Sequence, residues 1–334
     1  MPVYKCRTLI STPQDLLRVT GRVPRLSSVY SRVKLLASRS EVSLKKIERE
    51  IQRDPAICAR LPRLARIMYP ALDAGASTVT EVLSILGGER IRHLLLVTAV
   101  AAAYRKIKTP HIDMRRFWRL AARRALLARL IALEAPHVDP TRAFVAGLLA
   151  DVGHLLLHLG IPVPALDAQM RAQQCGMPVN EVETALLGFD YAQVGAVLVR
   201  RWRHCSKIEN AIEFHTRPLT ASEARGDACT LHVASRLAEA IEDGADLRRA
   251  SGAIRAGVWH LVGHSYEQLP EIIARAEEEF AALVDVLLPQ PLAGETQAAT
   301  PVKGEAVPIT KARARSLLHF PAANMAPALT RKTG

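Results

Sequence analysis

A chain of 334 residues that is 49% hydrophobic, 4% aromatic and formally charged +13 suits two average domains or one large helical one. Its abundant Ala, Leu, Val and Ile favour helices packed through aliphatic side chains over strands. The five scattered cysteines (Cys6, Cys58, Cys175, Cys205 and Cys229) lack CxxC spacing, which argues against a disulfide framework or zinc site and for reduced thiols in a cytoplasmic protein.

Residues 1–19 read as an N-terminal extension, and helix follows helix from there. In 24–37, Leu26, Val29, Val33 and Leu36 fall at helical spacing. A helix over 43–54 begins at a candidate Ser43 N-cap. Asp54 and Pro55 then restart a second helix over 54–69, which Pro62 is expected to kink or shorten. A helix over 78–88 ends at the Gly87-Gly88 pair, and a long buried one follows. Residues 108–113 mark a break between a helical subdomain at 20–110 and a second at 111–288. The second subdomain reads as helices over 114–135, with an arginine-rich face opposite its apolar stripe, and over 140–160. A turn at 161–164 precedes a helix over 164–176. Further helices follow over 180–188, 190–202, 206–218, 228–243 and 268–288. From 289 the composition shifts to Pro, Ala, Thr and Gly, the signature of a flexible tail at 289–334. No strand alternation and no internal repeat is read. No stretch approaches the ~20 apolar residues of a bilayer span, the best candidate being 93–104, and no secretory leader is read at the N-terminus.

The charge is unevenly spread. Residues 1–110 hold 20 Lys+Arg against 8 Asp+Glu, whereas 223–290 hold 6 against 12. A basic third can attract nucleic acid, anionic lipid or an acidic protein, or it can reflect a compositional bias toward arginine. The helices over 43–53 and 54–69 superficially resemble a helix-turn-helix, with Arg60, Arg63 and Arg66 as anion or nucleic-acid contacts. The interleaved Leu61, Leu64 and Ile67 point instead to a helix embedded in a bundle.

The chemistry centres on "GLLADVGH" at 147–154. Asp151, His154 and His158 stand at i, i+3 and i+7, on one helix face. A carboxylate and imidazoles so placed are raw material for a metal centre or acid–base work. The alternative is that Asp151 pairs with a neighbouring helix and the two histidines sit at the domain margin. His204 and Cys205 fit no metal spacing, and no P-loop, dinucleotide fingerprint or nucleophile elbow is present.

Several segments in order carry a family resemblance. "LKKIEREIQRDPAICARLPRLARIMY", "VTEVLSILGGERIRHLLL", "FWRLAARRALLARLIA", "AFVAGLLADVGHLLL", "FDYAQVGAVLVRRW" and "IENAIEFHTRP" resemble the HDOD family, the HD-related output domain of bacterial signalling proteins. The resemblance spans roughly residues 20–285 and implies an all-α fold similar to that of HD-domain phosphohydrolases. In those enzymes histidines and carboxylates from several helices hold a metal that polarises a phosphoryl oxygen and activates water. Carried over residue by residue, the first His position is Leu120 and the His-Asp doublet is Ala150-Asp151. The "DHAEVG" position is Tyr191, and the final "HH" is His215-Thr216. The expectation is therefore a degenerate HD site without metal or other cofactor, and a non-catalytic signalling role through a protein partner. A groove around Asp151, His154, His158, His215, Arg123 and Arg124 is the expected place for a partner or ligand. The alternatives are a nucleic-acid-binding regulator, and a rearranged metal-dependent hydrolase built from Asp151, His154, His158 and His215 or His204. No membrane partner is expected.

Overall fold

The computed structural model describes residues 10–288, apart from 21–25, 38–42, 73–75, 105, 106, 108, 136 and 265. Cys6 and the expected tail at 289–334 lie outside the described residues; Cys58, Cys175, Cys205 and Cys229 are free. Among the described residues there are sixteen α-helices and no strand. The first are α1 (Pro13–Val19), α2 (Ser28–Ala37), α3 (Leu44–Gln52), α4 (Pro55–Met68) and α5 (Val79–Tyr104). Next come α6 (Met114–Ala132), α7 (Pro140–Leu149), α8 (Val152–Gly160), α9 (Pro162–Cys175) and α10 (Val179–Leu187). They are followed by α11 (Tyr191–Arg201), α12 (Ser206–Phe214) and α13 (Arg225–Glu242), then α14 (Leu247–Gly252), α15 (Ala256–Val262) and α16 (Leu269–Leu287).

Capping side chains set many of the helix starts. Asp54 accepts from the Ala56 and Ile57 N–H groups at 3.0 and 3.2 Å, and Asp113 from Arg115 and Arg116 at 2.8 and 3.2 Å. Asp190 and Gln193 form a reciprocal capping box at the start of α11. Ser43 occupies the N-cap of α3 but makes no side-chain cap bond. The Gly pair acts as expected: Gly87 has φ 71° and interrupts α5, a conformation that glycine adopts without steric cost.

The structure departs from the sequence expectation at several places. α4 continues through Pro62, whose ring is buried. Residues 13–19 are no bare extension, because α1 buries Leu16 and Leu17 against α8 and α11. The stretch 140–160 is two helices, parted at Asp151, whose φ −96° and ψ 5° leave the helical basin. By length and apolarity Pro140–Gly160 would suffice for a bilayer span, contrary to the expectation that no stretch does. Protein buries 83% of its most apolar window. The turn expected at 161–164 contracts to Ile161, since Pro162 opens α9 at the position where proline costs a helix nothing. Short helices α14 and α15 had no clear sequence signal.

Among the described residues the main apolar core takes in residues from Leu16 to Leu287, and a small second cluster of Ala168, Ala172 and Val182 joins α9 to α10. At the centre of the main core α6 packs against α7, α13 and α16. Its arginines are not the solvated face that the helical wheel suggests: Arg123, Arg124 and Arg129 are 1%, 0% and 2% exposed. Arg123 pairs with Glu242 and, at 2.7 Å, with Glu277, while its guanidinium lies 4.1 Å from the Phe280 ring centroid. Arg119 pairs with Glu242 at 2.9 Å, Arg116 with Asp243 at 2.6 Å, and Arg129 with Glu279 at 2.5 Å.

α8 and α11 touch backbone to backbone at Gly153, where a Cβ would overlap the Tyr191 carbonyl. Gly153→Ala is expected to cost about 1–3 kcal/mol or more, because two packed helices must separate. Gly252→Ala, which meets open space, serves as the control and should be near neutral. Urea unfolding of the two variants checks this; equal midpoints would show that the helices yield freely.

Candidate functional site

Helices α6, α8, α9, α10, α11 and α13 converge around a cavity of about 620 Å³. Leu120 of α6, Asp151 at the head of α8, and Tyr191 at the start of α11 line it, which brings together three of the positions singled out in the sequence. His154 and His158 line it too, as their shared helix face requires. Ala150 is fully buried in the core at the α7–α8 corner and is not part of the wall. His215 sits behind Tyr191 rather than in the cavity.

Most polar groups at the floor are engaged within the protein. Arg124, wholly buried, donates through Nη2 to Asp151 Oδ2 at 2.5 Å, while its Nε and Nη1 have no partner in the protein. Burial alone would raise the Asp151 carboxyl, but Arg124, with His154, holds it below its ordinary value of 3.8. His215 Nδ1 donates to the Ile212 carbonyl at 2.7 Å, which leaves Nε2 to accept from the Tyr191 hydroxyl at 3.1 Å. Burial pushes His215 down to about 4, and Arg124 adds to the effect, so the ring is neutral at pH 7. The Tyr191 phenol is raised well above its ordinary value by burial and by Asp151, and it stays protonated. Thr216, the last doublet position, lies 3.5 Å from Asp190 Oδ2.

His154 stacks on the Tyr191 ring at 3.7 Å and faces Glu183 at 3.4 Å. Burial works most strongly against its charged form, yet Glu183 and Asp151 together raise it above 6.5. Glu183 also accepts the Tyr191 N–H at 2.8 Å, so this one carboxylate fixes both stacked rings. His158 is pushed down to about 4 by burial and by His154.

Other members of the expected groove fall elsewhere. Arg123 faces Glu242 and Glu277 and does not reach the cavity. Arg124 lies behind its wall. His204 cannot join a rearranged site, because it is held by the Tyr30 hydroxyl at 3.0 Å and by the edge of His93, at the junction with α2 and α5. Arg63 pairs with Asp285 of α16, and with Arg66 it lines a second hollow of about 550 Å³ beside Glu278 and Glu279. Arg60 is half-buried on the same helix. Arg63 and Arg66 of α4 thus stand beside acidic residues of α16, and both are exposed. Glu183, Glu239, Gln169 and Gln173 line the cavity without any sequence motif to announce them.

This donor set does not fit a divalent cation. Asp151 is committed to Arg124, both His215 nitrogens are committed, and Leu120 and Ala150 carry no ligand atom. Among the described residues no three His, Cys, Asp or Glu side chains are grouped to hold a metal.

Residues 23–218, more than half of the chain, match the HDOD domain. The chain belongs to the HDOD family. HDOD domains occur in signal-transduction proteins and are related to the HD phosphohydrolases, and the helical architecture here agrees with other members of the fold. A provisionally assigned phosphohydrolase from Shewanella amazonensis SB2B is 25% identical at TM-score 0.66, over 82% of this chain and 98% of its own. An HDOD domain protein of unknown function from Geobacter sulfurreducens is 17% identical at TM-score 0.62, over 82% of this chain and 95% of its own. A provisionally assigned signal transduction protein from Marinobacter aquaeolei VT8 is 18% identical at TM-score 0.59, over 84% of this chain and 68% of its own. No curated protein matches the chain.

Two outcomes follow from this HDOD centre. Asp151→Ala strands the buried Arg124 charge and should cost about 3–5 kcal/mol, while the double change Arg124→Met with Asp151→Leu should recover most of it. Double-mutant-cycle unfolding measures both, and additive losses would show the two groups to be uncoupled. The second concerns pH. Burial lowers His158 and His215 to about 4 and His204 to about 3, all below the ordinary 6.5. Stability from burying them neutral is present above 6.5 and is lost as pH falls through the folded values, since the unfolded chain then binds more protons. Asp151, with its value below 3.8, stays ionised over most of that window. The urea midpoint should therefore drop between about pH 7 and about pH 5, and a flat profile there would contradict the burial.

Proposed function

We propose that this HDOD chain is a non-catalytic, cytoplasmic signalling domain that acts by recognising a protein partner, its HD-type centre having become a structural one. The observation that carries the reading is the Arg124–Asp151 pair. The one carboxylate left from the His-Asp doublet is neutralised by a guanidinium from within the chain. A metal would have to compete with a covalently tethered cation, and the other doublet position offers only a methyl group. Tyr191 and His215 form a closed hydrogen-bonded pair in the same place. What remains is a rigid wall around an open cavity, the form of a recognition site.

The test uses the purified 334-residue chain. Elemental analysis after dialysis against manganese should find no stoichiometric metal, and bis(p-nitrophenyl) phosphate should not be turned over above background. Stoichiometric metal, together with turnover abolished in the Arg124→Met, Asp151→Leu variant, would make the protein a hydrolase. Used as bait in lysate, the chain should recover the same protein partner reproducibly, and Gln173→Trp at the cavity mouth should release it. Failure to recover any partner removes the recognition reading. DNA binding that weakens steeply with salt and is lost on replacing Arg60 and Arg63 would assign a nucleic-acid role instead.

A further inference from the structure

The two sides of the cavity are built differently. Leu120, Asp151 and Tyr191 stand on helices that the buried pairs and the main core hold in place. The opposite side comes from α9 and α10, whose Ala165, Ala172, Gln173, Met177 and Glu183 line it. These two helices form a hairpin around the small second cluster of Ala168, Ala172 and Val182, against which Val179 and Leu186 pack. The tip of the hairpin, residues 173–178, is exposed throughout, and Met177 there lines the cavity while 46% exposed. Across from the hairpin, Phe117 and Leu120 of α6 face an open volume of about 620 Å³. Little dispersion attraction therefore holds the inner face of the hairpin down.

The ends of the hairpin are fixed and its joints are minimal. Before it, Gly160 packs so close to α1 that a Cβ would lie 2.5 Å from Thr20 Oγ1. After it, Phe189 is 2% exposed in the main core. One residue, Ile161 at φ −138° and ψ 62°, separates α8 from α9, and Pro162 has no N–H to continue the α8 ladder. Gly188 ends α10 at φ 86°, with open space where a Cβ would be. Element-terminal residues of this kind absorb hinge rotations. Among the described residues, Glu183 is the hairpin side chain that bonds to the body: it is 2% exposed, faces His154 at 3.4 Å and accepts the Tyr191 N–H at 2.8 Å. Arg171 with Asp167, and Thr184 with the Asn180 carbonyl, bond only within the hairpin.

We propose that the α9–α10 hairpin is a hinged cover for the cavity, turning at Ile161 and Gly188 on its own small core, and that Glu183 is the latch that holds it over the recognition site. Releasing the latch widens access to Leu120 and Tyr191 without unfolding either helix. Covers of this type are drawn from the less stable parts of a fold, where few buried contacts must be broken to open. The inference rests on the reading of this cavity as a recognition site and adds what regulates it. Failure to recover a partner would end that reading and leave the hinge measurable. A hairpin that never opens would end the inference and leave the reading standing.

The test is native-state hydrogen exchange of the 334-residue chain, read by peptide mass spectrometry. Relative to their unfolded rates, amides of α9 and α10 should exchange at least about tenfold faster than those of α6 and α7, through a local opening that low urea does not accelerate. Glu183→Ala should quicken α9 and α10 by about tenfold more, the worth of a hydrogen bond to a charged group, while α6 and α7 keep their rates. Glu183→Gln, which retains an acceptor for the Tyr191 N–H, should fall between. Access is read separately: the thiol of Leu120→Cys should react with N-ethylmaleimide about tenfold faster once Glu183→Ala is added. Exchange of all four helices in a single transition of the parent chain overturns the proposal, even where Glu183→Ala fails to fold. Unchanged hairpin exchange in Glu183→Ala, an equal gain in all four helices, or a Leu120→Cys thiol indifferent to the latch overturns it as well.

Discussion

Burying arginines in a helical core obliges the rest of the chain to bring carboxylates to them. A guanidinium cannot shed its charge at accessible pH, and leaving it unpaired in the interior costs several kcal/mol. Helix α6 places Arg123, Arg124 and Arg129 almost fully inside, and their partners come from three other helices. Glu242 closes α13, Glu277 and Glu279 lie on α16, and Asp151 heads α8. Aliphatic packing tolerates a helix sliding or rotating slightly; these pairs do not. The pairing fixes how α13 and α16 sit on α6, while the apolar core supplies the bulk of the stability.

The cavity is a consequence of that arrangement. Asp151 is held toward α6 at the point where the α7–α8 pair parts, and the chain beyond it carries His154 and His158 onto the cavity wall. Gly153 lets α11 approach until Tyr191 stacks on His154 and meets His215. The polar groups thus serve one another first. Polar networks of this kind rigidify a core when fully satisfied, and around the cavity two nitrogens of Arg124 and one of His158 are left without a hydrogen-bond partner.

Much of this was legible in the sequence, for identifiable reasons. The helix start at Asp54 could be read because a cap is a local feature, complete within four residues. The Gly87 break was legible for the same reason. Of the positions that the family resemblance picked out, the structure brings Leu120, Asp151 and Tyr191 to one cavity wall. What escaped the sequence is non-local. A helical wheel assigns Arg123, Arg124 and Arg129 to solvent, since nothing nearby in the chain announces Glu242 or Glu277 more than a hundred residues later. The break at Asp151 escaped because the flanking apolar run is continuous. Glu183 and Glu239 belong to no motif, and only the fold places them beside His154.

The uneven charge of the chain takes on a different meaning once these pairs are known. A basic first third and an acidic segment at 223–290 look from sequence like a surface seeking an anion and a separate acidic module. In the structure the acidic segment supplies much of the internal counter-charge: to Arg116, Arg119, Arg123 and Arg129 of α6, to Arg142 through Asp227, and to Arg63 through Asp285. Net charge by segment therefore overstates what is free to attract a polyanion. The quantity that matters for recognition is the charge left over after internal pairing. At the cavity Asp151 is answered by Arg124, Glu183 by His154 and Glu239 by Arg236, so its carboxylates too are paired from within the chain.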